Sequence, residues 1–123
     1  MAWKYEQQTG RLTNPSGNFV GLGYSGRGEG LNNPAMQQVK DVGPIPRGKW
    51  SIGRFVDDLG GKGMIVAHLT PAPETETYGR AGFMVHGDNK AANHTASEGC
   101  IVLWRLLREM MMASNDRVLI VVA

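Results

Sequence analysis

The chain has 123 residues with one cysteine, a formal charge of +2 and 41% hydrophobic residues. That length suits one domain, here taken as residues 1–123, which buries about two thirds of the surface its unfolded form exposes and needs neither disulfides nor a structural metal. A single cysteine excludes an internal bridge, and the scattered Lys and Arg residues leave no basic stripe for nucleic acid to follow.

The first residues, from Met1 to Gln8, lack a basic start followed by an apolar run, and no later segment is long enough to cross a bilayer. No membrane partner is expected. A substrate outside the cytoplasm would be reached through separate delivery machinery. Trp3 and Tyr5 alternate with Lys4 and Glu6, and turn residues at 9–10 and 14–17 precede a second alternation around Phe19, Leu22 and Tyr24. This pattern predicts an opening antiparallel meander. Residues 25–48 are rich in Gly, Pro and Asn, with a stiff turn at 43–48 where Pro44 and Pro46 lock φ. Strands are predicted over 49–55 and 64–69 as a hairpin broken at 57–63. Residues 71–80 read as polar and exposed. Gly82, Phe83, Met84 and Val85 form a short apolar run ending on His86, which that reading puts at a sheet edge. Leu103, Leu106, Leu107, Met110 and Met111 recur at helical spacing, with Arg105, Arg108 and Glu109 on other faces, so a helix is predicted over 102–113. Residues 114–116 stop it, and 118–122 are β-branched enough for a buried closing strand. The fold class is mainly β (α+β), with one helix following the cysteine.

Chemistry concentrates in two short segments, His86-Gly87-Asp88-Asn89 and Ser97-Glu98-Gly99-Cys100-Ile101. A thiol just before a helix feels unsatisfied N–H groups and the positive end of the macrodipole, which would favour its thiolate. Nearby backbone donors would serve an oxyanion. Gly99 lets the chain turn sharply beside the nucleophile, and His86 is the candidate base, 100 − 86 = 14 residues away. A lone cysteine in a small protein is ordinarily a buried hydrophobe; the histidine, the Ser-x-Gly-Cys turn and the helix together favour catalysis.

These residues carry a resemblance. His-Gly, a short loop and Ser-x-Gly-Cys-Ile resemble the L,D-transpeptidase (YkuD-like) superfamily. Residues 43–53, Gly-Pro-Ile-Pro-Arg-Gly-Lys-Trp-Ser-Ile-Gly, are similar to that superfamily's Pro-x-Gly-aromatic-x-Ile segment. A closer similarity is to the small type VI secretion L,D-transpeptidase-like effectors, through Trp3–Tyr5, Gly23-Tyr24-Ser25-Gly26 and Asn32-Asn33-Pro34-Ala35-Met36. The resemblance implies a sandwich-like β domain in which Cys100 attacks the L-to-D peptide bond of a peptidoglycan tetrapeptide stem. His86 would move the proton, and no metal or organic cofactor is needed. It implies release of terminal D-Ala when water accepts the acyl group, and exchange or cross-linking when an amine does. A backbone carbonyl near Gly87 or the Asp88 side chain would orient the imidazole; Ser97 would bond within the turn or touch substrate. Two positions depart from the superfamily pattern: Glu98 stands where His or Arg is usual, and Val102 where an Arg is usual. Arg105 is the alternative cation. Asp88, Tyr24, Glu98 and Arg105 are thus the candidate substrate-contacting residues, with Trp104 beside Tyr24 at the cleft. Expected partners are stem peptides, an immunity protein and a secretion apparatus, with action in the periplasm of a target bacterium.

Other readings are weaker. Gly21-x-Gly23-x-x-Gly26 matches a dinucleotide fingerprint, yet no apolar helix follows it. His86, Asp88 and His94 with Cys100 would suit a zinc peptidase or amidase, but at no standard spacing. A non-catalytic wall-binding or phage module would keep the pocket and dispense with the thiol.

Overall fold

The computed structural model describes residues 1–88 and 97–123. Its strands are β1 (Trp3–Glu6), β2 (Arg11–Thr13), β3 (Phe19–Leu22), β4 (Tyr24–Ser25), β5 (Gly48–Ile52), β6 (Ala67–Pro71), β7 (Met84–His86), β8 (Ile101–Val102) and β9 (Val118–Val122). The helix α1 covers Arg105–Ala113. The strands form one nine-stranded sheet in the order β3-β2-β1-β9-β5-β6-β7-β8-β4. The expected meander is present as β1-β2-β3, and the expected hairpin as β5-β6, each antiparallel. The closing strand β9 slots between β1, to which it runs parallel, and β5, to which it runs antiparallel. The fold is therefore mainly β with one helix, as the sequence implies. The anticipated sandwich takes the form of a single sheet that nearly closes into a barrel.

The seam of that barrel is one residue wide. β3 and β4 are the two edges of the sheet, yet Gly23 alone separates them in sequence. A Cβ on Gly23 would stand 2.4 Å from the Val102 carbonyl oxygen and 2.5 Å from the Leu103 side chain, so the chain crosses the seam where only a glycine fits. Inside, alternate residues meet in one core containing Trp3, Tyr5, Leu12, Trp50, Leu69, Val85, Ile101, Leu119 and Val121. Trp50 meets Phe83 edge-on at 4.9 Å between ring centroids and donates its indole N–H to the Pro46 carbonyl.

Residues 25–48 hold two 3-10 turns, Gly28–Gly30 and Pro34–Met36, and are tied down from inside. Buried Gln7 donates to the side chain of Gln37 and to the Ile45 carbonyl, and the Gln37 side chain accepts from the Arg47 backbone. These bonds satisfy polar groups that would otherwise be costly in the interior.

Four expectations need correction. His86 is not at a sheet edge, because β7 is paired on both sides, with β6 and with β8. The helix begins at Arg105 and not at Val102, since Ile101 and Val102 are taken by β8, which β7 and β4 flank. On α1, Leu107 and Met111 are buried as expected, but Leu106 faces solvent and Arg108 is buried in its place. Its guanidinium donates to the carbonyls of Leu103, Met64 and Ile65, three acceptors that repay its desolvation. Finally, Arg80 is not part of an exposed stretch; it is 7% exposed.

Candidate active site

The site lies on adjoining parallel strands. Val85 pairs with Ile101 and His86 with Val102, and both Val85 and Ile101 face the core. Side chains alternate along a strand, so His86 and Val102 lie on the opposite face. Tyr24 pairs with Val102 from β4. Tyr24, Val102 and His86 thus form a row across three strands. Cys100 immediately precedes β8, the strand that pairs with the one ending on His86.

The imidazole is held at one end. Its Nδ1 lies 2.7 Å from the Gly87 carbonyl oxygen. A carbonyl only accepts, so Nδ1 carries the proton and Nε2 presents a lone pair. Nε2 is buried with no hydrogen-bond partner among the described residues. Of the two candidate orienting groups, the backbone carbonyl therefore holds the ring, while the Asp88 carboxylate accepts from the Tyr24 hydroxyl at 2.7 Å. Burial, the largest influence, pushes the His86 pKa down; the Gly87 bond opposes that, the charges of Lys62 and Arg108 add to it, and Asp88 opposes it.

Cys100 does not stand at a helix N-terminus. It precedes β8, and α1 begins five residues later, so the macrodipole does not reach it. Burial pushes its pKa up, although the Met84 N–H, Lys62 and Arg80 favour the thiolate, and Glu98 disfavours it. The sulfur lies 3.7 Å from the Gly82 carbonyl, to which the thiol donates. Burial thus favours the neutral thiol and the neutral imidazole alike.

The turn carrying the thiol is fixed by two buried hydroxyls. Ser97 Oγ donates to the Cys100 carbonyl and accepts from Gly26 N and Gly99 N. Ser25 Oγ donates to the same carbonyl at 2.8 Å and accepts from Ile45 N. Gly99 has φ +133°, and a Cβ there would lie 2.4 Å from the Arg80 guanidinium. That guanidinium donates to the carbonyls of Gln37, Gly43, Pro44 and Glu98, joining the long loop to the turn that carries Cys100.

Two clefts lie in this region, the smaller of them lined by Cys100. A groove of about 400 Å³ is lined in part by Asn32, Tyr24, Asp88, Val102 and Trp104. A smaller cleft of about 150 Å³ contains Cys100 and is lined by Lys40, Asp41, Lys62, Arg80 and Glu98 among others.

The model of one family, the Tlde1 domain, matches residues 21–121. The chain belongs to the Tlde1 domain family. That family comprises type VI secretion L,D-transpeptidase effectors. No individual curated protein matches the chain in sequence.

Within this Tlde1 domain, Tyr24, Asp88 and Trp104 line the larger groove and Glu98 the smaller one, whereas Arg105 is not brought to either cleft. It lies on the solvent side of α1, 3.6 Å from Glu109. Arg80, Ser25 and Lys62 are the residues that sequence reasoning missed. Ser25 was within reach, since it sits in the quoted Gly23–Gly26 motif. Arg80 and Lys62 sit in stretches that read as plain solvated loop, and nothing in their immediate sequence marks them. Asn89 and His94 lie outside the described residues. Among the described residues no three His, Cys, Asp or Glu side chains converge as a metal set, and no helix is long and apolar enough to cross a membrane.

Proposed function

We propose that this chain is a cysteine acyltransferase of peptidoglycan stem peptides, acting as an L,D-carboxypeptidase or in D-amino acid exchange, and delivered as an antibacterial effector. The observation that carries the reading is a buried Nε2 lone pair, held in its tautomer by Gly87, on the strand that pairs with the one directly following the single cysteine. In this reading a rotation about the Cys100 side chain exchanges the Gly82 contact for Nε2, which takes the thiol proton as sulfur attacks the scissile carbonyl. The tetrahedral adduct collapses, the carbon–nitrogen bond breaks, and the leaving amine takes the proton back from His86. A Cys100 thioester remains. Water, or the amine of a D-amino acid, then loses a proton to His86 as it attacks the thioester, and the proton returns to sulfur on release. The Met84 N–H, already aimed at the sulfur, is a donor within the same small region for the developing negative charge.

Membership in a type VI effector family supports delivery into a rival's periplasm and the need for an immunity protein in the producing cell. The test is incubation of the purified chain with tetrapeptide muropeptides, with and without a D-amino acid, followed by mass analysis. Loss of the terminal residue or its replacement is expected, and Cys100→Ala should lower the rate by about 10⁴-fold or more. A Cys100→Ala variant that still intoxicated target cells would overturn the catalytic reading in favour of a wall-binding module.

A further inference from the structure

The turn between β5 and β6 is built to hold Lys62 over the small cleft. It is closed at its base by the bridge between Val56 and Val66 and by a hydrogen bond from Asp58 N to the Gly63 carbonyl. Asp57 accepts from Ile65 N, while Asp58, Gly60, Gly61 and Gly63 all take positive φ. The turn lies against the strand bearing the site: a Cβ on Gly60 would stand 3.5 Å from the Met84 side chain. Lys62 lines the same cleft as Cys100, and its charge reaches both Cys100 and His86.

Of the three cations lining that cleft, Arg80 has its donors committed to four backbone carbonyls, and Lys40, unlike Lys62, is not among the charges that act on Cys100. Lys62 makes no ion pair among the described residues. A volume of about 150 Å³ falls below the ~300 Å³ of typical ligand pockets, so it accommodates about one residue beyond the thiol. A C-terminal residue carries its carboxylate roughly 3.6 Å past the scissile bond, about one residue length.

Resting on the catalytic reading above, we infer that Lys62 receives the free carboxylate of the stem's C-terminal residue, making the enzyme select bonds one residue from a chain end. The small cleft is then the leaving-group side, and the larger groove along Tyr24, Asp88 and Trp104 receives the rest of the stem.

The test compares a tetrapeptide stem with its C-terminal carboxamide, which keeps the shape and removes the charge, in the wild-type chain, Lys62→Met and Lys62→Arg. Wild type should favour the free acid by at least about tenfold in kcat/KM, as expected for a charge-assisted contact. Lys62→Met should bring the acid-to-amide ratio toward one, mainly through KM, and Lys62→Arg should restore most of it. Because any effect of Lys62 on the ionisation of His86 or Cys100 acts on both substrates alike, the ratio isolates carboxylate binding. A wild-type ratio near one, or a ratio unmoved by Lys62→Met, would overturn the inference and leave the catalytic reading standing. A wild-type chain inert toward both peptides would remove the two together.

Discussion

At the scale of single residues, His86 and Cys100 are governed by burial more than by charge. The same desolvation pushes the imidazole pKa down and the thiol pKa up, so neither group is ionised at rest. For His86 the lowered pKa keeps Nε2 free of a proton at neutral pH and below the usual value near ~6.5, which a general base requires. For Cys100 the raised pKa means that thiolate accumulates only as pH climbs beyond the ordinary thiol range, near ~8.5. Alkylation of the resting enzyme by iodoacetamide should therefore be slow near neutrality and rise continuously through alkaline pH. A helix-activated thiolate would give fast alkylation that is already level at acidic pH, and that profile would refute the burial argument.

At the scale of elements, the turn that carries Cys100 is a lattice of side chain to backbone bonds whose owners lie far apart in sequence. Ser97 alone serves Gly26, Gly99 and Cys100, bonding elements 71 residues apart. Ser97→Ala leaves two buried donors and part of an acceptor unsatisfied, so it should cost about 2–3 kcal/mol in urea unfolding. The turn should also loosen enough to lower kcat. Ser97→Thr retains an oxygen and should recover part of both losses; equal stability of Ser97→Ala and wild type would show that the hydroxyl does not carry the turn. Local patterning made the opening meander, the β5-β6 hairpin and the closing strand readable, because alternation and turn residues are properties of neighbouring positions. It did not reveal where α1 begins: Ile101 and Val102 suit a helix as well as a strand, and pairing with β7 and β4, which no short window contains, decides for the strand. The burial of Arg80 and Arg108 was hidden for the same reason, since their acceptors are carbonyls supplied by distant loops.

At the scale of the whole molecule, the near-closure of the barrel and the shape of the site depend on one crossing. Gly23 joins the two edge strands, donates its N–H to the Gly10 carbonyl at 2.7 Å, and passes against Val102 and Leu103. The residue after it, Tyr24, occupies the site's row of side chains and holds Asp88. Gly21, two residues earlier, lies under Leu107 of α1 so closely that a Cβ would stand 2.7 Å from that side chain. The helix therefore covers the seam where β3 passes into β4. Gly23→Ala would drive a methyl into the Val102 carbonyl, which is backbone within β8 and cannot move without carrying the strand that follows Cys100. Relief requires the edge β4 to draw back from β8, shifting Tyr24 from Asp88. The substitution should destabilise the fold by about 1–3 kcal/mol, as overpacking does. On the proposed reading it should also depress turnover in the fraction that remains folded, because the groove wall and the strand that follows Cys100 move together. Gly17→Ala supplies the control: a Cβ there meets nothing within 4 Å, so its loss comes from positive φ alone and should leave turnover of the folded fraction intact. If Gly23→Ala lost no more activity per folded molecule than Gly17→Ala, the seam would be a feature of stability alone, with no hold on the geometry of the site.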